Sequence, residues 1–343
     1  MIESVLDRNL LPDVAIRAGI RRIVAGRLRE QEAGGAEGEA RRRAELLENL
    51  HTAPIAPESA MANAQHYELP PAFFERVLGP HVKYSGAWWP PGVETLEEAE
   101  RRMLELTVER AGIEDGHQVL DLGCGWGSMT LFLAAAFPRC RIVALSNSAP
   151  QRAYIVEKAR GRGLTNVTVI TADINQFETA QRFDRIVSIE MLEHVRNYPA
   201  LFARIARWLE PDGRFFAHVF AHRRFAYPFE SRGASDWMAR HFFTGGMMPS
   251  DDLFHDLQGD LVIDAQWRVD GRHYQRTAEA WLQNMDRHRL GVDALLASVY
   301  GPDDVTRWRV RWRVFFMACA EMFGYRDGHE WGVSHFRFKK RGS

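Results

Sequence analysis

Short apolar runs recur along the middle of the chain, each followed by a stretch whose apolar residues fall at helical spacing. Gln118–Leu122 (QVLDL), Arg141–Leu145 (RIVAL), Val167–Thr171 (VTVIT), Phe183–Ile189 (FDRIVSI) and Arg214–Phe220 predict five strands. Met129–Phe137, Ala149–Arg162 and a segment ending near Leu209 read as the intervening helices, and Pro211-Asp-Gly213 as the turn into the fifth strand. Strands alternating with helices at this spacing predict an α/β fold: a parallel sheet with helices on both faces. Ligands of such sheets sit at the carboxyl ends of the strands. Leu261–Val269 and Trp331–Phe338 predict two further strands, with two helices between them.

Two regions depart from this alternation. The first sixty residues read as helical, with Ile16, Ile20, Ile23 and Leu28 near one face and Arg17, Arg21, Arg22 and Arg29 mostly elsewhere. That pattern suits a surface helix docked on a core. A membrane-touching basic helix is the alternative, but residues 1–50 hold nine Arg and nine Asp/Glu, so the local charge does not favour it. Glu32–Glu39 (EAGGAEGE) reads as a loop and Thr52–Ser59 (TAPIAPES) as a linker. The expected organisation is therefore a helical extension over 1–60 and a main domain over 61–343. Within the latter, residues 221–260, rich in aromatics, Gly and Met, read as an insertion over the carboxyl edge of the sheet. In the helix expected at 303–323, Trp308, Trp312, Phe315, Phe316 and Cys319 share a face, which reads as core.

Composition narrows the function classes. Of 343 residues, 46% are hydrophobic and 26% charged, so there is apolar surface enough to order the chain. The net charge of −1 leaves no global basic field for nucleic acid. The longest apolar runs, such as Leu131–Phe137, are far below the ~18 residues of a membrane span, and the first residues lack the pattern of a signal peptide. Cys124, Cys140 and Cys319 have no paired spacing, so neither a disulfide framework nor a metal site is expected, and a reducing, cytoplasmic location is. Lysine is scarce among the basic residues: Lys83, Lys158, Lys339 and Lys340 are all there are.

The string Val119-Leu-Asp-Leu-Gly-Cys-Gly-Trp-Gly127 carries the chemistry. Asp121 ends the first strand, and Gly123, Gly125 and Gly127 let a ligand approach the backbone closely. A dinucleotide fingerprint is not met, because Ser128 stands where its third glycine belongs and the second strand ends in Leu145-Ser146-Asn147 without an acid. A phosphate-binding P-loop is excluded, because no G-K-[ST] follows. S-adenosylmethionine (SAM) fits instead: it has no phosphate, and an acid beside the glycines suits its cationic methionine end. Asp173, after the third strand, is placed to accept from the adenine amino group. The fourth strand ends in Ser188-Ile-Glu-Met-Leu-Glu-His194, which brings Glu190, Glu193 and His194 to where the methyl group would point. His is matched to proton transfer near neutral pH. Capping of the next helix by Glu193 and His194 is the plainer reading.

With these strings in view, the chain resembles the cyclopropane fatty acid synthase-like SAM methyltransferases, and among them most the plant coclaurine N-methyltransferases. LPDVAIRAGIRRIVAGRLRE, HYELPPAFFERVLGPHVKYS, ALSNSAPQ, IEMLEHVRNY, HVFAHRRFAYPFE, HYQRTAEAWLQNMD and FFMACAEMFGYRDGHEWGVSHFRFKK carry the likeness. It implies a class I, Rossmann-like methyltransferase fold with a mostly parallel seven-stranded sheet. It also implies that Tyr84 and Ser85 reach over the SAM site, that the glycines and Ile189 line it, and that Asn147 and Gln151 replace the usual acid at the ribose. Asp173 and Ile174 would hold the adenine, and Glu190, Glu193 and His194 match the family's catalytic E-x-x-E-H. His218, His222, Cys319 and Glu68 are weaker candidates. Cyclopropane synthases tend to carry Tyr-Ser-Cys where this chain has Gly86, and they bind a bicarbonate base. The resemblance therefore implies methylation of a small, largely apolar amine, with Trp88, Trp89, Phe323 and Tyr325 as candidate cation–π rings. The alternatives are methylation or cyclopropanation of lipid acyl chains, and SAM binding without catalysis. The N-terminal helices can dock in cis or on a second copy, so a homodimer is allowed.

Overall fold

The computed structural model describes residues 2–57, 69–229 and 237–342. Its main sheet has seven strands: β1 (Gln118–Leu122), β2 (Arg141–Ser146), β3 (Val167–Thr171), β4 (Phe183–Ile189), β5 (Leu209–His222), β8 (Leu261–Val269) and β9 (Trp331–Lys340), while Tyr227–Pro228 (β6) and Met247–Met248 (β7) form a separate small pair. The order is β3-β2-β1-β4-β5-β9-β8. β1 to β5 pair in parallel and β9 runs antiparallel to both its neighbours, so the mostly parallel seven-stranded sheet is as expected. The strand order reverses beside β1, and β4 is its neighbour there, so the ends of β1 and β4 share the crevice where such sheets hold ligands.

The period of two along β1 explains the layering. Leu120 and Leu122 point to one face, against Tyr198, Leu201, Phe202 and Ile205 of the helix Tyr198–Trp208. Val119 points to the other, against Leu104 of the helix Leu96–Ala111 and Met129 and Leu133 of the helix Ser128–Ala136. Caps fix where helices start: Thr95 accepts from Glu98 N, and Asn197 accepts from Ala200 N at 2.9 Å.

The N-terminal helices pack on this domain in cis. The helix Asp13–Glu32 lies against Val305–Phe323, with Arg17 bridging Glu279 (2.6 Å) and Glu321 (2.9 Å) and Asp13 pairing with Arg313 (2.8 Å). Arg17 and Arg21 are thus engaged by carboxylates of the protein itself. The expected face is half right: Ile16 and Leu28 are buried, but Ile23 is 48% exposed and Val24 is buried in its place. Glu32–Glu39 is not a loop. Gly34 makes the turn in the left-handed region, and a helix runs from Gly35 to Thr52. Gly38 serves the tightness of this turn, since a Cβ there would run into the Ala33 carbonyl. Nor is the linker idle: Ile55 and Ala56 are buried, and Arg196 N donates to Ile55 O at 2.7 Å. Trp312, Phe315, Phe316 and Cys319 are core, and Trp308 stacks on Tyr300 at 4.0 Å.

Candidate active site

A cavity of about 140 Å³ opens at the carboxyl ends of β1, β2 and β4. Its floor is the turn after β1, bordered by Asp121, Gly123, Cys124, Gly125, Trp126 and Ser128. Gly125 has φ +52, and a Cβ built on it meets nothing within 4 Å, so its bare side faces open space. Gly127 does different work. It does not border the cavity, and a Cβ there would sit 2.6 Å from Ile155 Cγ1, so it lets the next helix close on the turn. Trp126 anchors the turn against Phe74 (4.8 Å) and Tyr154 (5.4 Å). Asp121 is buried and accepts from Thr130 Oγ1 at 2.6 Å; burial pushes its carboxyl up to about 6.

The far wall holds Ser146, Asn147, Gln151, Ala172 and Ile174, and Ala56 of the former linker also borders the cavity. Gln151 accepts from Ser146 Oγ at 2.6 Å, which leaves its Nε2 buried without a hydrogen-bond partner; Ser128 Oγ is in the same state. Asp173 does not border the cavity. Its Oδ1 accepts from the backbone and side-chain amides of Asn175, both at 2.9 Å, and Asn175 in turn clasps Ala56 N and O (2.9 and 2.8 Å). The third wall is the segment Val82–Ser85, held by buried Lys83, whose Nζ donates to Ser85 Oγ (2.5 Å) and Gly86 O (2.7 Å). Burial lowers the Lys83 ammonium to about 8.

At the end of β4 the cavity is bordered by Ile189, Glu190, Met191 and His194. Glu190 leaves β4 with φ +50, a left-handed conformation that costs a non-glycine residue on the order of 1–2 kcal/mol. The turn is held by the bond from Glu190 N to His218 O at 2.8 Å. Its carboxylate accepts from Gly86 N (2.9 Å) and Tyr274 Oη (2.7 Å), and His218 Nε2 lies 3.1 Å from Oε1. Burial raises its pKa, against the pull of the Lys83 charge. His194 stacks on Phe243 at 4.6 Å, and burial, then the Arg196 charge, lowers it to about 4, so it is neutral at pH 7. Phe243 belongs to the expected insertion, which Arg196 ties down through the Gly245 and Gly246 carbonyls.

Glu193 does not join them at the cavity. It sits in the 3-10 turn Leu192–His194, fully buried, accepting from Phe220 N at 2.7 Å. Burial, reinforced by the Glu190 charge, pushes it well above the usual carboxylate range. His222 is also away from the cavity: its Nδ1 accepts from Arg224 N and Phe225 N, closing a backbone turn. Cys319 is buried, its thiol pushed up to about 12. None of the four expected cation–π rings borders this cavity. Trp89 carries Arg276 on its face (4.4 Å), Phe323 stacks on Tyr274 (4.1 Å), and Arg326 lies over Tyr325 (5.6 Å). Glu68 lies outside the described residues. Lys83 and Tyr274 were not singled out from sequence. The scarcity of lysine was a signal for Lys83, and Tyr274, 84 residues beyond Glu190, lay in the string HYQRTAEAWLQNMD with nothing local to tie it to Glu190.

Residues 56–330 match the mycolic acid cyclopropane synthetase family. The chain is 35% identical to (S)-coclaurine N-methyltransferase of Papaver somniferum over 98% of its own length and 97% of the relative's. It is 29% identical to the cyclopropane-fatty-acyl-phospholipid synthase of Escherichia coli strain K12 over 81% and 68%. A crystal structure of coclaurine N-methyltransferase bound to N-methylheliamine and SAH superposes with a TM-score of 0.95 at 36% identity, covering 99% of both chains.

Proposed function

The chain belongs to the mycolic acid cyclopropane synthetase family, and from that premise we propose that it is a SAM-dependent methyltransferase acting on the nitrogen of a small, largely apolar amine. The observation that carries this reading is the reactive end of the cavity, where a neutral imidazole and a braced carboxylate stand together at the end of β4. The full-length likeness to coclaurine N-methyltransferases supports the same substrate class.

The cavity fits SAM. The open side of Gly125 leaves room for a chain passing over the backbone, and the unpartnered Gln151 Nε2 and Ser128 Oγ are the kind of buried polar groups a ligand satisfies. Asp121 suits the methionine ammonium, while Ala56, Ala172 and Ile174 offer an apolar slot for a flat base. When bound, SAM supplies a methyl group on a sulfonium sulfur. The protein's residues act on the acceptor. An amine must shed a proton to offer its lone pair, and His194, held neutral, and Glu190, held as a hydrogen-bond acceptor, are the groups at the cavity able to take it. Fixing the nitrogen between them also supplies orientation.

The lipid reading is less well supported. The N–H of Gly86, Tyr274 Oη and His218 already bond directly to Glu190, and a Cβ at Gly86 would lie 3.0 Å from Tyr274 Cδ1. The deciding experiment offers the purified protein methyl-labelled SAM with aryl-alkyl and benzylisoquinoline-like amines, and separately with vesicles of unsaturated phospholipid. Label in amines supports the proposal; label only in acyl chains overturns it.

A further inference from the structure

Behind Glu190 runs a buried line of polar side chains that the mechanism above leaves unused. His218 Nε2 lies 3.1 Å from Glu190 Oε1, His218 Nδ1 lies 3.0 Å from His335 Nε2, and His335 Nδ1 lies 2.8 Å from Arg110 Nη1. The two histidines sit opposite each other in the β5/β9 register and are completely buried. Arg110 closes the line from the last turn of the helix Leu96–Ala111, its guanidinium 5.1 Å from the Trp267 ring.

The direction of every bond follows from one end. Guanidinium nitrogens only donate. His335 Nδ1 must therefore accept from Arg110, which puts the His335 proton on Nε2. That proton is donated to His218 Nδ1, so the His218 proton sits on Nε2 and is donated to Glu190 Oε1. We infer that Arg110 and His335 are positioning residues that lock His218 in the Nε2–H tautomer and so keep Glu190 an acceptor for the substrate's proton. This rests on the N-methyltransferase reading for the identity of the substrate, not for the tautomers.

The arrangement has two consequences at the site. A carboxylate has about four acceptor positions. Gly86 N and His218 Nε2 take those of Oε1, and Tyr274 Oη takes one of Oε2, so the open position is on Oε2. In addition, the line cannot carry a proton outward, because each of its members already presents a hydrogen toward Glu190. A proton that leaves the amine nitrogen for Oε2 returns to solvent through the cavity. The other charged or titratable groups around Glu190 are Lys83, His194, Glu193, Tyr274 and Cys319, and none of them fixes the His218 tautomer. Burial holds both histidines far below their ordinary pKa, in keeping with two neutral rings.

The test is the nitrogen-15 spectrum of histidine-labelled whole protein at pH 7, with assignments from single substitutions. His218 and His335 are expected as neutral Nε2–H rings. A Nδ1–H tautomer or an imidazolium at either position overturns the inference, whether or not any amine is methylated. The functional arm compares His335→Leu with His335→Gln. Leucine breaks the line, and kcat is expected to fall roughly 10- to 100-fold, with the KM for SAM little changed. The acid limb of the kcat–pH profile should also move to higher pH, because a freed His218 can flip and stabilise protonated Glu190. Glutamine accepts at one end and donates at the other, so it should recover most of that loss. Equal profiles for the two variants overturn the inference. Loss of amine methylation in the wild type as well would instead point to the wrong acceptor.

Discussion

Gly125 and Gly127 stand two residues apart in one turn, and the structure gives them opposite failure modes. Alanine at either position is strained, since φ is +52 and +79; that strain costs on the order of 1–2 kcal/mol. At Gly125 there is nothing more to pay in the free protein, because the added methyl meets no atom within 4 Å. At Gly127 the methyl would sit 2.6 Å from Ile155 Cγ1 and 3.0 Å from Cδ1, and overpacking adds about 1–3 kcal/mol. Gly127→Ala is therefore expected to lose about 2–5 kcal/mol of stability and Gly125→Ala about 1–2. Binding should be ordered the other way: the Gly125→Ala methyl enters the cavity and should weaken S-adenosylhomocysteine at least tenfold, about 1.4 kcal/mol. Urea unfolding with linear extrapolation measures the first quantity, and titration calorimetry on the folded variants the second. If Gly125→Ala binds as tightly as wild type, or if Gly127→Ala is the more stable of the two, the division of labour argued for this turn is wrong.

Other outcomes follow from the same geometry. Glu190→Gln should lower kcat by about 10²–10⁴ with little change in SAM affinity, measured by single-turnover methylation and calorimetry. Asp121 has a folded pKa near 6 against an ordinary 3.8, so its ionisation costs folding nothing below about pH 4, progressively more up to pH 6, and a constant amount above. Asp121→Asn should therefore gain stability relative to wild type as pH rises through that window, by up to about 3 kcal/mol, while SAM affinity of the wild type increases over the same range; parallel melts and titrations at pH 4.5 and 7.5 check both. Asn175→Ala removes both bonds to Ala56 and should cost about 1–3 kcal/mol in urea unfolding. Cys319, with its thiol near 12, should resist iodoacetamide at pH 8 in the native state and react once unfolded, as peptide mass analysis would show.

The sheet was legible because β1 to β4 are short apolar runs bounded by turns, a purely local signal. The glycine turn was legible for the same reason. What sequence misplaced were features decided by packing. Ile23 and Val24 are equally apolar neighbours, and only the docking angle of the helix decides which is covered. Gly34, Gly35 and Gly38 look like loop composition, yet two of them lie within a helix, and a Cβ at Gly38 would run into the Ala33 carbonyl. Glu193 was expected beside Glu190 and His194 because all three follow the end of the fourth strand. A left-handed residue followed by a 3-10 turn rotates it into the core instead. Arg110 and His335 are 225 residues apart, and no local pattern announces a contact that exists only after β9 has inserted beside β5.

The clasp of Asn175 on Ala56 moors the leading helices to the wall of the donor cavity. The first 57 residues are consequently not an interchangeable cassette. A chimera joined at that point would splice one protein's helices to another's cavity wall, and its grip on the donor would drift even with every reactive side chain intact. Substitutions in the leading segment that shift Ala56 are therefore expected to change donor affinity.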